Sequence, residues 1–387
     1  MNIRSEVKAI KDQIISWRRY FHENPELSFK EFDTAKKINL ELKSMGLEPK
    51  IKVGKTGVIA DLKFGEGPVI GFRADMDALP IQETSGLPFA SKNDGVMHAC
   101  GHDGHIAMLL GTAQVLSQNN NKYHGTIRFI FQPAEEGGGG ARYMIEDGCL
   151  DNLDEIYGIH LWNYQPYGDV GVKSGPIMAS ADMFDIKIKG IGGHGAAPQG
   201  TVDTIIVASH LVQALQTIVS RNTNPLESTV VTIGKINGGH NFNIIADEVN
   251  LSGTTRAYSE YNRDLIKSRM EEIILGIAKT YNAEIIFDYR DGYPPTINHE
   301  KQSTLVLEAA QKVVGDKAGL PYLSMGGEDF SYYLQKVPGC FFFVGSAPNG
   351  NKLFETPHHC SHFNMDERSL LVGPSIYLNL IDKIMSN

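Results

Sequence analysis

The stretch DMFDIKIKG at residues 182–190 puts Phe184, Ile186 and Ile188 on one side and Asp185, Lys187 and Lys189 on the other. Such alternation is the period of a strand buried on one face. VDTIIVASHLVQALQTIVSR (202–221) follows as a long helix, and ESTVVTIGKI (227–236) and EVNLSGTTRAY (248–258) as strands. NRDLIKSRMEEIILGIAKTY (262–281) is a second helix and AEIIFDYR (283–290) a last strand. A β-α-β-β-α-β order folds into a four-stranded antiparallel sheet with two helices on one face, the ferredoxin-like arrangement. Gly292 and the Pro294–Pro295 pair close this unit.

The flanking sequence reads differently. MNIRSEVKAIKDQIISWRRY repeats Ile3, Val7, Ile10, Ile14 and Trp17 at helical spacing, and a second amphipathic helix begun after Pro25 stops at Gly46. TGVIADLKF and GPVIGFRADMDALP read as strands, HDGHIAMLLGTAQVLSQN as a helix, and TIRFIFQPAEE as a buried strand running into Gly137–Gly140. Beyond residue 293 come a helix near Thr304–Val314, the strand CFFFVGS and a closing helix from about Ser369 to Met385. Alternating strands and helices predict a parallel or mixed α/β sheet. The expected organisation is a catalytic α/β domain in two pieces, 1–180 and 293–387, interrupted by an inserted ferredoxin-like α+β domain at 181–292.

A chain of 387 residues is long enough for two cores. Hydrophobic content of 42% and charged content of 21% are ordinary globular values. The net charge of -9 and pI near 5.8 argue against a surface that tracks phosphates, so no nucleic-acid partner is expected. The N-terminal helix carries charges and leads into no apolar signal core, and no run of about 18 apolar residues occurs. A membrane is therefore not expected as a partner. Cys100, Cys149, Cys340 and Cys360 form no paired framework, which predicts a reducing, cytoplasmic setting.

The chemistry concentrates in four clusters. MHACGHDGH (97–105) holds Cys100, His102, Asp103 and His105, with Gly101 letting Cys100 and His102 converge. QPAEE ends a buried strand in Glu135 and Glu136. Read as neighbours on a strand, the two carboxylates point to opposite sides, one toward metal and the other toward substrate and water. That division suits hydrolysis, because one carboxylate neutralises cations while the other carries a proton from water to the leaving nitrogen. GIHLW sets His160 between apolar neighbours, and TPHHCSHF (356–363) holds His358, His359, Cys360 and His362. A lone histidine on an apolar strand is more often a core residue than a ligand. The recurrence of such groups points to a metal site.

RRYFHENPELSF, FRADMDALP, MHACGHDGH, QPAEEGGGGA, GIHL, GGHGAAP, GTTR and GGEDF stand in one order along the chain. In these motifs and their spacings the chain resembles the M20 metallopeptidase family over nearly its whole length. Its likeness is to the amidohydrolase branch of N-acyl-L-amino-acid, hippurate and auxin-conjugate hydrolases. The resemblance implies a zinc-peptidase-like, mixed-sheet catalytic domain with two divalent metal ions per chain. Cys100, His102, Glu136, His160 and His359 would hold the ions and Glu135 would be the general acid/base. His359 lies four residues before Phe363, as the family's histidine does, but Ser361 stands where proline is common, and His358 and His362 stay open as alternatives. Asp75 matches an acidic residue that orients a metal-site partner.

In the inserted domain the resemblance assigns His194 to the developing oxyanion, and Asn243 and Arg256 to the substrate carboxylate. A planar guanidinium suits bidentate recognition of such a group. Ala246 stands where a proline is common, so the loop after Asn243 differs from the family pattern. The resemblance also implies a homodimer or higher homo-oligomer formed through the inserted domain. Thiolate and imidazole favour Zn²⁺, while carboxylates and exchangeable water admit Mn²⁺, Co²⁺ or Ni²⁺, and Mn²⁺ or Zn²⁺ is expected. The expected reaction is hydrolysis of a small-molecule N-acyl-L-amino acid to a carboxylate and a free amino acid by metal-activated water. A dipeptidase or carboxypeptidase would apply the same chemistry to a peptide bond. A non-catalytic acyl-amino-acid-binding protein is the third reading, in which Glu135 would have no purpose.

Overall fold

The computed structural model describes residues 1–118, 122–348 and 354–386. The chain divides into two compact units. Met1–Ile177, Ile297–Leu323 and Asp329–Asn387 make the first, and Met178–Thr296 with Ser324–Glu328 the second.

The first unit is built on an eight-stranded mixed sheet. Its order is Lys50–Val53, Gly57–Lys63, Thr126–Gln132, Val69–Asp75, Glu155–Pro166, Gly339–Ala347, Val170–Gly171 and Ala318–Gly319. The strands Thr126–Gln132, Val69–Asp75, Glu155–Pro166 and Gly339–Ala347 run parallel at its centre. A strand covered on both faces needs continuous apolar sequence, and Phe341, Phe342, Phe343 and Val344 are all fully buried. The helix His102–Ser117 is itself apolar nearly all round and buries Ile106, Leu109, Leu110 and Leu116. Each such side chain stabilises the fold by roughly 1.5–3 kcal/mol. Parallel strands bring their carboxyl ends to one edge, the usual place for ligands in α/β sheets.

The second unit has the four-stranded antiparallel sheet and two helices expected from its sequence. The strand order is Thr229–Gly238, Glu248–Ala257, Ala181–Lys189 and Glu284–Tyr293. Phe184, Ile186 and Ile188 turn one way, into a core with Val207, Leu211 and Leu215 of the helix Thr204–Thr217 and Ile266, Met270 and Ile274 of the helix Glu260–Tyr281. Asp203 and Ser259 cap the two helices by accepting from their first free amides.

Several boundaries differ from the sequence reading, among them the ends of the second unit, Met178 and Thr296 where 181 and 292 were expected. Ser324–Glu328 belongs to the second unit, whereas 293–387 was expected to lie wholly in the first. Local bonds explain this: the Tyr258 hydroxyl donates to the Ser324 carbonyl at 2.6 Å and the Ala179 amide to Gly326 at 2.9 Å. The N-terminal helix is two helices, Ser5–Ala9 and Lys11–Glu23, separated by Ile10 at φ -110° and ψ 17°. The closing helix begins at Val372, after a 3₁₀ turn over Glu367–Leu371 that Asp366 caps. Among the described residues no helix is long and apolar enough to cross a membrane.

Candidate metal centre

Strand register assembles the site. Asp75 ends its strand opposite Gln132, and Gly158 lies opposite Arg73 on the other side. Asp75, the turn following Gln132, and His160 therefore share one edge of the sheet. The helix His102–Ser117 starts beside them from Gly101, whose φ of 93° favours glycine. A Cβ on Gly104 would come 2.4 Å from Leu161 Cδ1, so the second glycine of the motif is set by helix–strand approach. The helix N-terminus also favours the carboxylates gathered there.

The candidate ligand atoms converge. Cys100 Sγ lies 3.6 Å from His160 Nε2. Metal–sulfur and metal–imidazole bonds of about 2.3 and 2.0–2.1 Å at a tetrahedral angle separate two such atoms by about 3.6 Å. Glu136 Oε1 is 3.9 Å from His102 Nε2 and 3.2 Å from His359 Nε2. Ligand atoms of Cys100, His102 and His160 fall within 4.8 Å of one another, as do those of Cys100, Glu136 and His359, and those of His102, Glu135 and Glu136. The last group corrects the expectation for the two glutamates. The strand ends at Gln132, Ala134 takes a left-handed φ of 54°, and a carboxylate oxygen of Glu135 lies within 4.8 Å of one of Glu136, so strand alternation does not separate the two.

Hydrogen bonds aim the lone pairs. His160 Nδ1–H donates to the Leu161 carbonyl at 2.6 Å, leaving the Nε2 lone pair toward Cys100. His102 Nδ1–H donates to the Asp77 carbonyl at 2.9 Å. His102 Nε2 and Glu136 Oε1 are both buried and take part in no hydrogen bond. Buried polar atoms left without a hydrogen-bond partner, amid converging thiol, imidazole and carboxylate groups, are what a cation site would present. His359 is held at φ 65° by its amide bond to the Ala99 carbonyl, 2.8 Å. The alternatives behave otherwise. His362 Nε2 bonds the Glu355 carbonyl at 2.9 Å, and the Nε2 lone pair of His358 accepts the Asn163 amide at 3.1 Å.

The charge balance leads to the same place. Burial, then Glu136, Glu135 and Asp75, push the Cys100 thiol well above its ordinary range. Burial works against a charged His102, but Asp75, Asp77 and Glu136 outweigh it and raise the group to about 10. In the protein alone, a proton on His102 thus offsets part of the negative charge. Burial keeps His160 neutral and lowers His358 to about 3. A cation among these groups would stabilise the thiolate and release the proton, as metal binding at such sites does.

Asp75 makes its hydrogen bonds outside the expected ligand set and stands 3.6 Å from His102 Nε2. Asp75 bonds His105 Nδ1 at 2.6 Å and Arg73 at 2.6 Å, and His105 Nε2 accepts the Leu161 amide at 2.8 Å, so both nitrogens of His105 are engaged. Asp77 was not singled out from the sequence, yet it accepts the amides of Glu135 and Glu136 at 2.9 and 3.0 Å and the Ser28 hydroxyl at 2.7 Å, besides its carbonyl bond to His102. Glu31, also missed, accepts the Ala134 amide at 2.9 Å and the Thr56 hydroxyl at 2.6 Å. A second carboxylate two residues after Asp75 in RADMD was the signal for Asp77.

The remaining expected residues lie in the second unit. His194 pairs with Ile244 in a short ladder, and the Asn243 carbonyl accepts the Gly195 amide at 2.8 Å, so His194 and Asn243 sit side by side and exposed. His194 Nδ1 accepts the Ala196 amide at 3.1 Å, which leaves the proton on Nε2. Arg256 donates to the Thr255 carbonyl at 2.9 Å and to Thr254 Oγ1, and among the described residues it forms no ion pair.

The family model of peptidase family M20/M25/M40 matches residues 71–383. The chain belongs to this family. Its fold is that of the M20 enzymes, and the chain is a hydrolase of amide bonds. It is 44% identical to the N-acetyl-L-cysteine deacetylase of Bacillus subtilis, covering 94% of this chain and 86% of that protein. It is 42% identical to thermostable carboxypeptidase 2 of Saccharolobus solfataricus, covering 96% and 95%. Among solved structures it resembles the YXEP protein of Bacillus subtilis, described as a dinuclear metal-binding M20 peptidase, at TM-score 0.85 and 38% identity over 97% of this chain and 98% of that one.

Proposed function

We propose that this M20 enzyme hydrolyses small N-acyl-L-amino acids at a pair of divalent metal ions, Mn²⁺ or Zn²⁺. Cys100, His102, Glu136, His160 and His359 hold the ions in this reading. The observation that carries it is the convergence, within 4.8 Å, of ligand atoms of Cys100, His102 and His160 and of Cys100, Glu136 and His359, with His102 Nε2 and Glu136 Oε1 buried 3.9 Å apart and outside any hydrogen bond. Bound there, divalent ions supply Lewis acidity toward the scissile carbonyl and lower the pKa of water. Glu135, with a carboxylate oxygen within 4.8 Å of one of Glu136, takes up the proton from water and delivers it to the leaving nitrogen. His194 offers Nε2–H to the oxyanion, and Arg256 with Asn243 binds the free carboxylate of the amino-acid half. In this reading the second unit recognises substrate and, as the family resemblance implies, forms the contact of a homo-oligomer. A reducing cytoplasm would keep the Cys100 thiol available.

The name of the deacetylase relative supports an acyl substrate, and that of the carboxypeptidase supports a second reading, a peptide with a free C-terminal carboxylate. Arg256 would serve either. Elemental analysis of protein purified without chelator, joined to a panel of acetyl-, benzoyl- and indoleacetyl-amino acids beside dipeptides, tests both. Two divalent ions per chain and cleavage of acyl-amino acids are expected. Cleavage of dipeptides alone would replace the first reading by the second. Metal content near zero, without turnover after reconstitution, would overturn both.

A further inference from the structure

His358, next to the expected ligand His359, is held by contacts on every side. Its ring is tilted against Trp162 at 4.9 Å and Phe363 at 5.2 Å, and meets His160 edge-on at 5.2 Å. Nε2 accepts the Asn163 amide at 3.1 Å. Turning the ring over would present a carbon to that N–H, so the bond determines the orientation. A nitrogen that accepts carries no proton, and the neutral ring must then bear its proton on Nδ1. Nδ1 lies 3.8 Å from Cys100 Sγ, within hydrogen-bond reach of a sulfur acceptor. His160 presents a lone pair to the same sulfur from another direction. The two imidazoles thus face Cys100 with opposite polarity, one with an acceptor that a cation would satisfy and one with a donor.

We infer that His358 is a positioning residue which donates an N–H···S hydrogen bond to the Cys100 thiolate, setting its orientation and its electron donation to the metal. The inference rests on the reading of Cys100 as a ligand. A donor to a ligating sulfur withdraws electron density from it, and groups that support a ligand from behind typically govern about 10- to 100-fold of metal affinity. The Cys100 carbonyl also acts on this ring, so only a signature of the sulfur separates the two acceptors.

That signature is the thiolate-to-cobalt charge-transfer band of the full-length protein loaded with Co²⁺. His358→Phe keeps the ring stack and removes the donor, whereas His358→Asn keeps a donor at the Nδ1 position. Both lose the acceptor for the Asn163 amide, so the pair isolates the donor. The expected result is a band shifted to lower energy and a roughly 10- to 100-fold weaker Co²⁺ affinity in His358→Phe, with the wild-type band retained in His358→Asn. Should His358→Phe not fold, His358→Leu takes its place in the comparison. Bands at the same energy in all three proteins, or shifted equally in both variants, would overturn the inference. A wild-type protein that binds Co²⁺ without any such band would instead remove Cys100 from the ligand set and overturn the metal assignment beneath it.

Discussion

Asp77→Asn probes how the carboxylate pair is held. The Asp77 side chain accepts one amide on each oxygen, Glu135 on Oδ1 and Glu136 on Oδ2, and the Ser28 hydroxyl on Oδ2 as well. Asparagine keeps one acceptor and turns the other position into a donor. The Ser28 hydroxyl can rotate to accept from the new amide, but one of the two backbone N–H groups is left facing N–H. An unsatisfied buried donor costs about 1–3 kcal/mol, and the surviving bond loses about 1 kcal/mol when its acceptor is no longer charged. The total is about 2–4 kcal/mol. If this cost falls on the transition state, kcat/KM drops by about 30- to 900-fold. If it falls on folding, the melting temperature drops instead. Steady-state hydrolysis of the best acyl-amino acid, thermal melting and metal content measured on one preparation apportion the loss. Turnover within about threefold of wild type at an unchanged melting temperature would refute the idea that Asp77 holds the Glu135–Glu136 turn.

Glu135→Gln is expected to retain its metal and lose about 10²- to 10⁴-fold in kcat, the range of general acid/base contributions; wild-type turnover in that variant would exclude Glu135 from the proton transfer. Arg256→Ala should raise KM by about 10- to 150-fold, from the roughly 1.5–3 kcal/mol of a charged hydrogen bond, with kcat little changed. A fall in kcat at constant KM would speak against carboxylate binding. Glu31 supplies a pH test on metal-free protein. Burial raises its carboxyl from 4.5 to about 7, so the folded state binds the proton more tightly than the unfolded one. Its contribution to stability is therefore greatest below pH 4.5 and declines as pH rises through about 7. Glu31→Gln, which imitates the protonated form, should flatten that decline in urea denaturation measured from pH 4.5 to 8, and a profile as steep as wild type would contradict the assignment.

The order of the second unit was legible because a half-buried strand must alternate and an amphipathic helix must not, and Phe184, Ile186 and Ile188 followed that rule into the core. The crowding of metal-binding types in MHACGHDGH, QPAEE and TPHHCSHF was legible too, whereas His160 in GIHLW read from its own neighbours as a core residue and entered the candidate set through the family resemblance. Extrapolating strand alternation past Gln132 failed at the glutamates, because a proline and a left-handed alanine end the strand before them. Ser324–Glu328 crossed to the other unit through hydrogen bonds that no local pattern encodes.

What the sequence by itself determined is which side chains of metal-binding type the protein carries, and on which elements. Only the tertiary structure decided where their lone pairs point. His358 and His359 are adjacent and chemically identical, yet one gives Nε2 to the Asn163 amide and the other turns Nε2 to Glu136. A histidine's direction is set by the partner of its second nitrogen and by the backbone angle that carries it. Here those are supplied by Asn163 and by Ala99, residues that only the folded chain brings alongside.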